Sequence, residues 1–197
     1  MLKSEKTKAF IIETVAPIFN KNGYSAMSLS KITQATGLTK GALYGHFANK
    51  EELAMEAFKF SVRRVLKDLN HEVNKGKTPL EQLLNIASFY KNYYEYNKQF
   101  GGCPILNIGV DSDHQNASIA EMVRTYNYKI LDKFSELIEK AKKSNEIIGS
   151  IDSMLYAKRF FYMIEGAVYM SYIMKDKSYL DDVSQMMTLI IKNELKQ

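Results

Sequence analysis

The stretch from Ser28 to Lys50, SLSKITQATGLTKGALYGHFANK, leaves this chain few options. Ser28 stands where an N-cap is needed, with a hydroxyl able to accept from a free backbone N–H. Leu29, Ile32 and Ala35 or Thr36 follow at helical spacing and give one apolar face. Gly37 stops that helix, because glycine enters the left-handed C-cap conformation without steric cost. Leu38 fills the turn. Thr39 caps a second helix, KGALYGHF, whose Leu43 and Phe47 lie four apart and pack on the first. Thr39, Lys40, Gly41, Tyr44 and His46 are left on the outward side. This is the order of a helix-turn-helix, whose second helix enters the major groove of DNA. A plain helical hairpin with a solvated face is the alternative, and so dense a run of cap, glycine turn and outward donors argues against it.

Charge is distributed in the same sense. The formal net charge is +5. Residues 1–50 hold seven lysines against two acids, whereas residues 51–197 hold 20 basic and 20 acidic side chains. The whole excess therefore lies on the segment with the hairpin, as sequence-independent attraction to phosphate requires. A solubilising excess would be spread along the chain.

The rest of the sequence reads as helix. There are only three prolines and ten glycines, and 46% of the residues are hydrophobic, enough for a core. The expected fold is all-α. The first helix runs from about Ser4 to Asn22, with Ala9, Ile12, Ala16 and Phe19 as its stripe, thickened by Phe10, Ile11 and Val15, and a kink at Pro17, which lacks a backbone donor. The fourth runs from Asn49 towards Asn74, the fifth from Pro79 to about Lys98. GGCPILN is expected to be irregular. A long helix follows from about Asn116 to Ser144. The next starts at a cap on Asp152 or Ser153 and reaches about Lys175, and the last covers about Tyr179 to Leu195. The chain opens without a charged-then-apolar leader and has no run of about 18 apolar residues to span a bilayer. A single cysteine excludes an internal disulfide framework. The expected location is the cytoplasm.

The first helix ending FNKNGY, then TGLTKGALYGHF followed by NKEEL, resembles the TetR family of transcriptional regulators. APIFNKNGY, GGCPILNIGVDSD and the IEGA at Ile164–Ala167 resemble one subset of it. The resemblance spans most of the chain and is specific over roughly the first third. It implies an all-α homodimer with a three-helix DNA-binding domain (residues 1–48) and a larger effector-binding and dimerisation domain (residues 49–197). The last two helices of each subunit would form a four-helix bundle. Such proteins usually repress, and a small molecule usually releases them from a palindromic operator. No enzymatic activity, cofactor or metal is implied.

Residue by residue, Ser28 and Lys50 are expected to contact phosphate. Thr39 and Lys40 open the recognition helix and reach phosphate or base edges. Gly41 lets the backbone approach DNA, and Tyr44 offers its hydroxyl to phosphate or its ring to a thymine methyl. His46 either donates to phosphate or stabilises the turn. Gly45 departs from the family, where a larger side chain is common, so part of the specificity falls to DNA shape.

Aromatic residues crowd the second half, densely from Phe89 to Phe100. Ordinary packing explains most of them. Tyrosines that orient a ligand in an amphipathic pocket are the functional alternative. The candidates are Tyr90, Tyr94, Cys103, Asn107, Phe134 and Phe161, and the expected effector is apolar or aromatic. A carboxylate ligand would need a basic partner such as Arg124 or Arg159, which surface salt bridges explain equally well. Asp111, Asp113 and His114 fit a polar loop or helix cap better than a metal set. Cys103 fits a buried thiol better than a redox switch. No phosphate loop or nucleophile–base order is present.

The last two helices are too apolar for an isolated surface pair. Lys158, Arg159 and Glu165 argue against membrane insertion, and Gly166 and Ala167 permit close helix approach. Dimerisation is the expectation, since two half-sites on one DNA face require a two-fold protein. Two other classes are weaker: a ligand-binding or enzymatic helical protein with a vestigial hairpin, and a constitutive architectural DNA binder.

Overall fold

The computed structural model describes residues 3–197, which form helices and, among these residues, no strand. In order they are α1 (Lys3–Asn22), α2 (Leu29–Thr36), α3 (Lys40–Tyr44), α4 (Lys50–Val73), α5 (Pro79–Lys91), α6 (Tyr93–Asn97), α7 (Pro104–Ser112), α8 (Ala117–Lys143), α9 (Ser153–Met174) and α10 (Ser178–Leu189). The chain packs as two compact units. One comprises residues up to Val65 with Gln99–Thr125; the other comprises Leu66–Lys98 with Tyr126–Gln197. No helix among the described residues is long and apolar enough to cross a membrane.

In the first unit, α1 buries Ile11, Val15, Ala16, Phe19 and Asn20. Of the expected apolar face, Ile11, Val15, Ala16 and Phe19 are buried, whereas Ala9 and Ile12 are half-buried and Phe10 is exposed. The helix is continuous through Pro17. α2 and α3 contribute Ile32 and Leu43, with Phe47 just beyond, to the same core. α4 starts on a reciprocal cap. Asn49 Oδ1 accepts from Glu52 N–H at 2.8 Å, and the Glu52 carboxylate accepts from Ala48 N–H at 2.7 Å.

GGCPILN is not a loop. The break is confined to Gly101 and Gly102, both at positive φ, and Pro104 opens α7. Proline at the first helical position loses a donor that would be unpaired anyway, and its fixed φ suits the helix. α7 is then stitched to the end of α1. The buried Asn20 amide donates to the Phe100 and Gly102 carbonyls (2.5 and 3.0 Å). The Asn107 amide donates to the Asn20 and Gly101 carbonyls (3.0 and 2.8 Å).

In the second unit, the expected single helix from Pro79 to Lys98 is broken at Asn92 into α5 and α6, followed by a 3-10 turn, Lys98–Phe100, that runs into the first unit. The break lets Phe89, Tyr90, Tyr93 and Tyr96 stack on one another, with centroids 5.3 to 6.0 Å apart. Tyr96 donates to Asp68 (2.6 Å), and Asn97 donates to the hydroxyl of the fully buried Tyr93 (2.9 Å). Asp152 caps α9, accepting from Leu155 N–H at 3.0 Å. α9 buries Ala157, Phe160, Ile164 and Val168, and α10 buries Leu180, Val183 and Met187. The α-helix of α10 ends at Leu189, earlier than the pattern predicts, and Ile190–Leu195 forms a π-helical turn. That turn buries Leu195, whose carbonyl accepts from Ile148 N–H at 2.8 Å and so pins the chain end to the α8–α9 loop.

Candidate nucleic-acid interface

The two short helices are defined by their caps. Ser28 has extended φ and ψ (−78°, 156°), and its hydroxyl accepts from Lys31 N–H at 3.2 Å. Gly37 closes α2 at φ +69°, giving its N–H to the Thr33 carbonyl. An L-residue side chain is strained in that region, which is why glycine stands there. Thr39 repeats the N-cap at α3, accepting from Ala42 N–H at 3.2 Å. α3 stops at Tyr44 instead of continuing through Phe47, because Gly45 and His46 close the turn on the Gly41 and Leu43 carbonyls. Phe47 is buried all the same.

With Leu43 turned inward, Thr39, Lys40, Gly41 and Tyr44 are exposed; Tyr44 keeps 50% of its surface. His46 is half-buried. A Cβ built on Gly41 would meet no heavy atom within 4 Å. Packing therefore does not explain glycine at this position, whereas close approach of another molecule would. Gly45 would likewise tolerate a Cβ, whose nearest neighbours are carbonyl oxygens at 3.5 and 3.6 Å.

Lys50 is half-buried, with Nζ 4.2 Å from the centre of the Tyr24 ring. Burial lowers its pKa from the ordinary lysine value, and the Asp111 carboxylate partly offsets that. The same carboxylate accepts from Tyr24 N–H at 2.6 Å. Gly23, at φ +78°, leaves the space that the carboxylate fills: a Cβ there would lie 2.5 Å from Asp111 Oδ1. Gln115 takes the Ser25 hydroxyl as a further tie. Sequence reasoning missed this latch from α7 to the α1–α2 turn, because its partners lie 87 and 90 positions apart. Gly23 was its one local trace.

The six ligand candidates divide between the units. Cys103 and Asn107 lie in the first. Cys103 is buried at the start of α7, and the amide of Asn107 is committed to two backbone carbonyls. Tyr90, Tyr94, Phe134 and Phe161 lie in the second. Tyr90 belongs to the aromatic cluster, Tyr94 stacks on Tyr172 at 5.0 Å, and Phe161 is half-buried on α9. Phe134 is buried at the floor of a cleft between α4, α5 and α8. Arg124 pairs with Glu121 at 2.9 Å, and Arg159 lies over the Tyr156 ring at 5.0 Å. Among the described residues no group of three or more His, Cys, Asp or Glu could hold a metal ion.

Known proteins match both parts of the chain. The pattern of bacterial regulatory proteins of the tetR family matches residues 11–57, and the tetracyclin repressor-like C-terminal domain matches residues 79–187. A TetR-family regulator from Cytophaga hutchinsonii has a solved structure that superimposes with a TM-score of 0.91 at 30% identity, over 100% of this chain and 98% of that one. A TetR regulator from Chloroflexus aurantiacus gives 0.94 at 28% identity, over 100% and 99%. The HTH-type transcriptional regulator YxaF of Bacillus subtilis (strain 168) is 23% identical over 189 residues, or 93% of this chain and 94% of that protein. The helix-turn-helix with its exposed donors, the helical second half and these matches together make the chain a member of the TetR family, a DNA-binding transcriptional regulator and not an enzyme.

Proposed function

We propose that the protein is a ligand-responsive repressor that binds a palindromic operator as a homodimer and leaves it when a small molecule binds. The observation that carries this reading is the α3 surface, where Thr39, Lys40 and Tyr44 point outward around a Gly41 that packing does not require. Residues 1–48 act as the DNA-binding domain and residues 49–197 as the effector-binding and dimerisation domain. Ser28 and Lys50 flank the recognition helix and contact phosphate, and the Tyr24 ring holds Lys50 in place for this. His46 braces the turn. Specificity rests on few side chains together with DNA shape.

Dimerisation uses α9 and α10. Leu155, Tyr162, Tyr169 and Ile173 are exposed along one stripe of α9, and Met186 and Leu189 are exposed on α10. Gly166 sits within the α9 stripe with open space where a side chain would be, which admits a partner helix closely. An apolar stripe of this extent would be costly to leave in water. The effector has an apolar or aromatic body and sits in the second unit, where Phe134, Tyr126 and the aliphatic residues around them provide its surface. α4, which passes from one unit to the other, changes position on binding and alters the spacing of the two recognition helices. The effector acts only through its differential affinity for the two states. A regulator of this kind works in the cytoplasm.

Selection of double-stranded DNA from a random pool by the purified protein tests the reading. A shared palindrome with two half-sites is the expected result. DNA without any shared sequence would overturn it in favour of an architectural binder.

A further inference from the structure

The second unit carries a cleft of about 490 Å³ between the C-terminal half of α4, α5 and α8. That volume falls in the range of about 300–1,000 Å³ usual for small-molecule sites. Its floor is apolar, with Leu69, Ile86, Phe134 and Leu137 all buried. Its polar groups are not scattered. Lys129, Lys133 and Lys140 line it from α8, at offsets of four and eleven residues. At 3.6 residues per turn those offsets bring the three ammonium groups onto one edge of the helix.

A single carboxylate, Glu136, shares that edge and is paired with Lys133 at 2.7 Å. The hydrogen bond and charge of Lys133, and then the charge of Lys140, hold Glu136 below its ordinary pKa. The opposite wall presents the carboxamides of Asn70, Asn74 and Gln82. Among the described lining residues, therefore, three cations face one anion, and the remaining polar groups are neutral. An apolar floor under a cationic edge suits a molecule that is apolar at one end and anionic at the other.

We propose that this cleft binds a small amphipathic acid, with its aliphatic or aromatic body over Phe134 and Ile86 and its carboxylate against Lys129, Lys133 and Lys140. The inference rests on the reading of the second unit as the effector domain and supplies the chemical class of the effector. It also replaces Arg124 and Arg159 as the basic partners of an acid, since neither arginine lines this cleft.

The test is calorimetric titration of the full chain with dodecanoate at submicellar concentration, with dodecanol as the uncharged counterpart. Dodecanoate should bind about tenfold more tightly, the value of one charge-assisted hydrogen bond. That preference should disappear in the Lys129→Gln/Lys133→Gln/Lys140→Gln variant, while affinity for dodecanol stays unchanged. The three lysines are exposed, so the variant is expected to fold. A second variant, Ile86→Trp, should weaken both ligands by filling the floor. Equal binding of the two ligands overturns the proposal, as does no binding of dodecanoate, or a preference that survives in the lysine variant. Operator DNA takes no part in this readout. Failure to recover a palindrome would sink the repressor reading and leave the binding preference standing; loss of the preference would sink only the acid.

Discussion

Gly23→Ala is the sharpest perturbation the structure offers. Two costs add at this position. The residue sits at φ +78°, where an L-residue loses about 1–2 kcal/mol relative to glycine. The new Cβ would also lie 2.5 Å from Asp111 Oδ1 and 2.6 Å from its Cγ, so the carboxylate must swing away. That movement forfeits the 2.6 Å bond from Tyr24 N–H, a hydrogen bond to a charged acceptor worth about 1.5–3 kcal/mol. Together the substitution should cost about 3–5 kcal/mol, seen as a Tm lower by roughly 10 °C in a chain of this size. Thermal and urea unfolding measure it, and Asp111→Ala completes a double-mutant cycle. In the Asp111→Ala background the carboxylate is already gone, so Gly23→Ala should cost only the backbone part, about 1–2 kcal/mol. An equal penalty in both backgrounds would refute the latch and leave only an ordinary left-handed glycine.

Three further expectations can be checked alongside it. Lys40→Ala and Tyr44→Ala should each weaken operator binding while Tm stays within about 1–2 °C of the parent, since both side chains are exposed; Lys40→Ala should also lower the salt slope by about one if it meets a phosphate. The Cβ of Gly166→Leu has open space around it, the residue is exposed and a helical glycine is replaced, so the fold should survive, yet sedimentation should shift from dimer to monomer because helix approach is blocked. Glu139 is held below its ordinary pKa of 4.5 first by the hydrogen bond from Ser153 and then by that from Lys142. A depressed carboxylate stabilises the folded state above its unfolded pKa and ceases to do so as pH falls through the folded value. Stability should therefore decline below about pH 4.5, and Glu139→Gln should flatten that part of the pH profile of Tm.

Much of this architecture was legible in the sequence because it is decided within a few residues. Ser28, Gly37, Thr39 and Asp152 each act on a backbone group three or four positions away, and each cap forms where its residue type predicts. Thr78 behaves alike at α5, accepting from Glu81 N–H at 3.3 Å. Misreadings arose where local rules compete. Pro104 reads with its neighbouring glycines as irregular, although the rule that places Pro79 at a helix start applies to it equally. The break at Asn92 has no proline or glycine to mark it; stacking of Phe89, Tyr90, Tyr93 and Tyr96 accompanies it, and periodicity cannot weigh that against a continuous helix.

By itself, then, the sequence determined that the chain is helical, where most helices start, and that one short helix carries outward donors under a local excess of lysine. Tertiary structure alone decided which groups meet across long separations. It brought Asp111 to the Tyr24 amide and within electrostatic reach of Lys50, tied Asn107 to the end of α1, and placed the lysine edge of α8 over the apolar floor that Ile86 supplies from α5. The physical reason is range. Caps and helical faces are set by backbone geometry over a turn or two, whereas a latch or a cleft exists only after distant segments have packed, and neither half of such a contact has a pattern of its own.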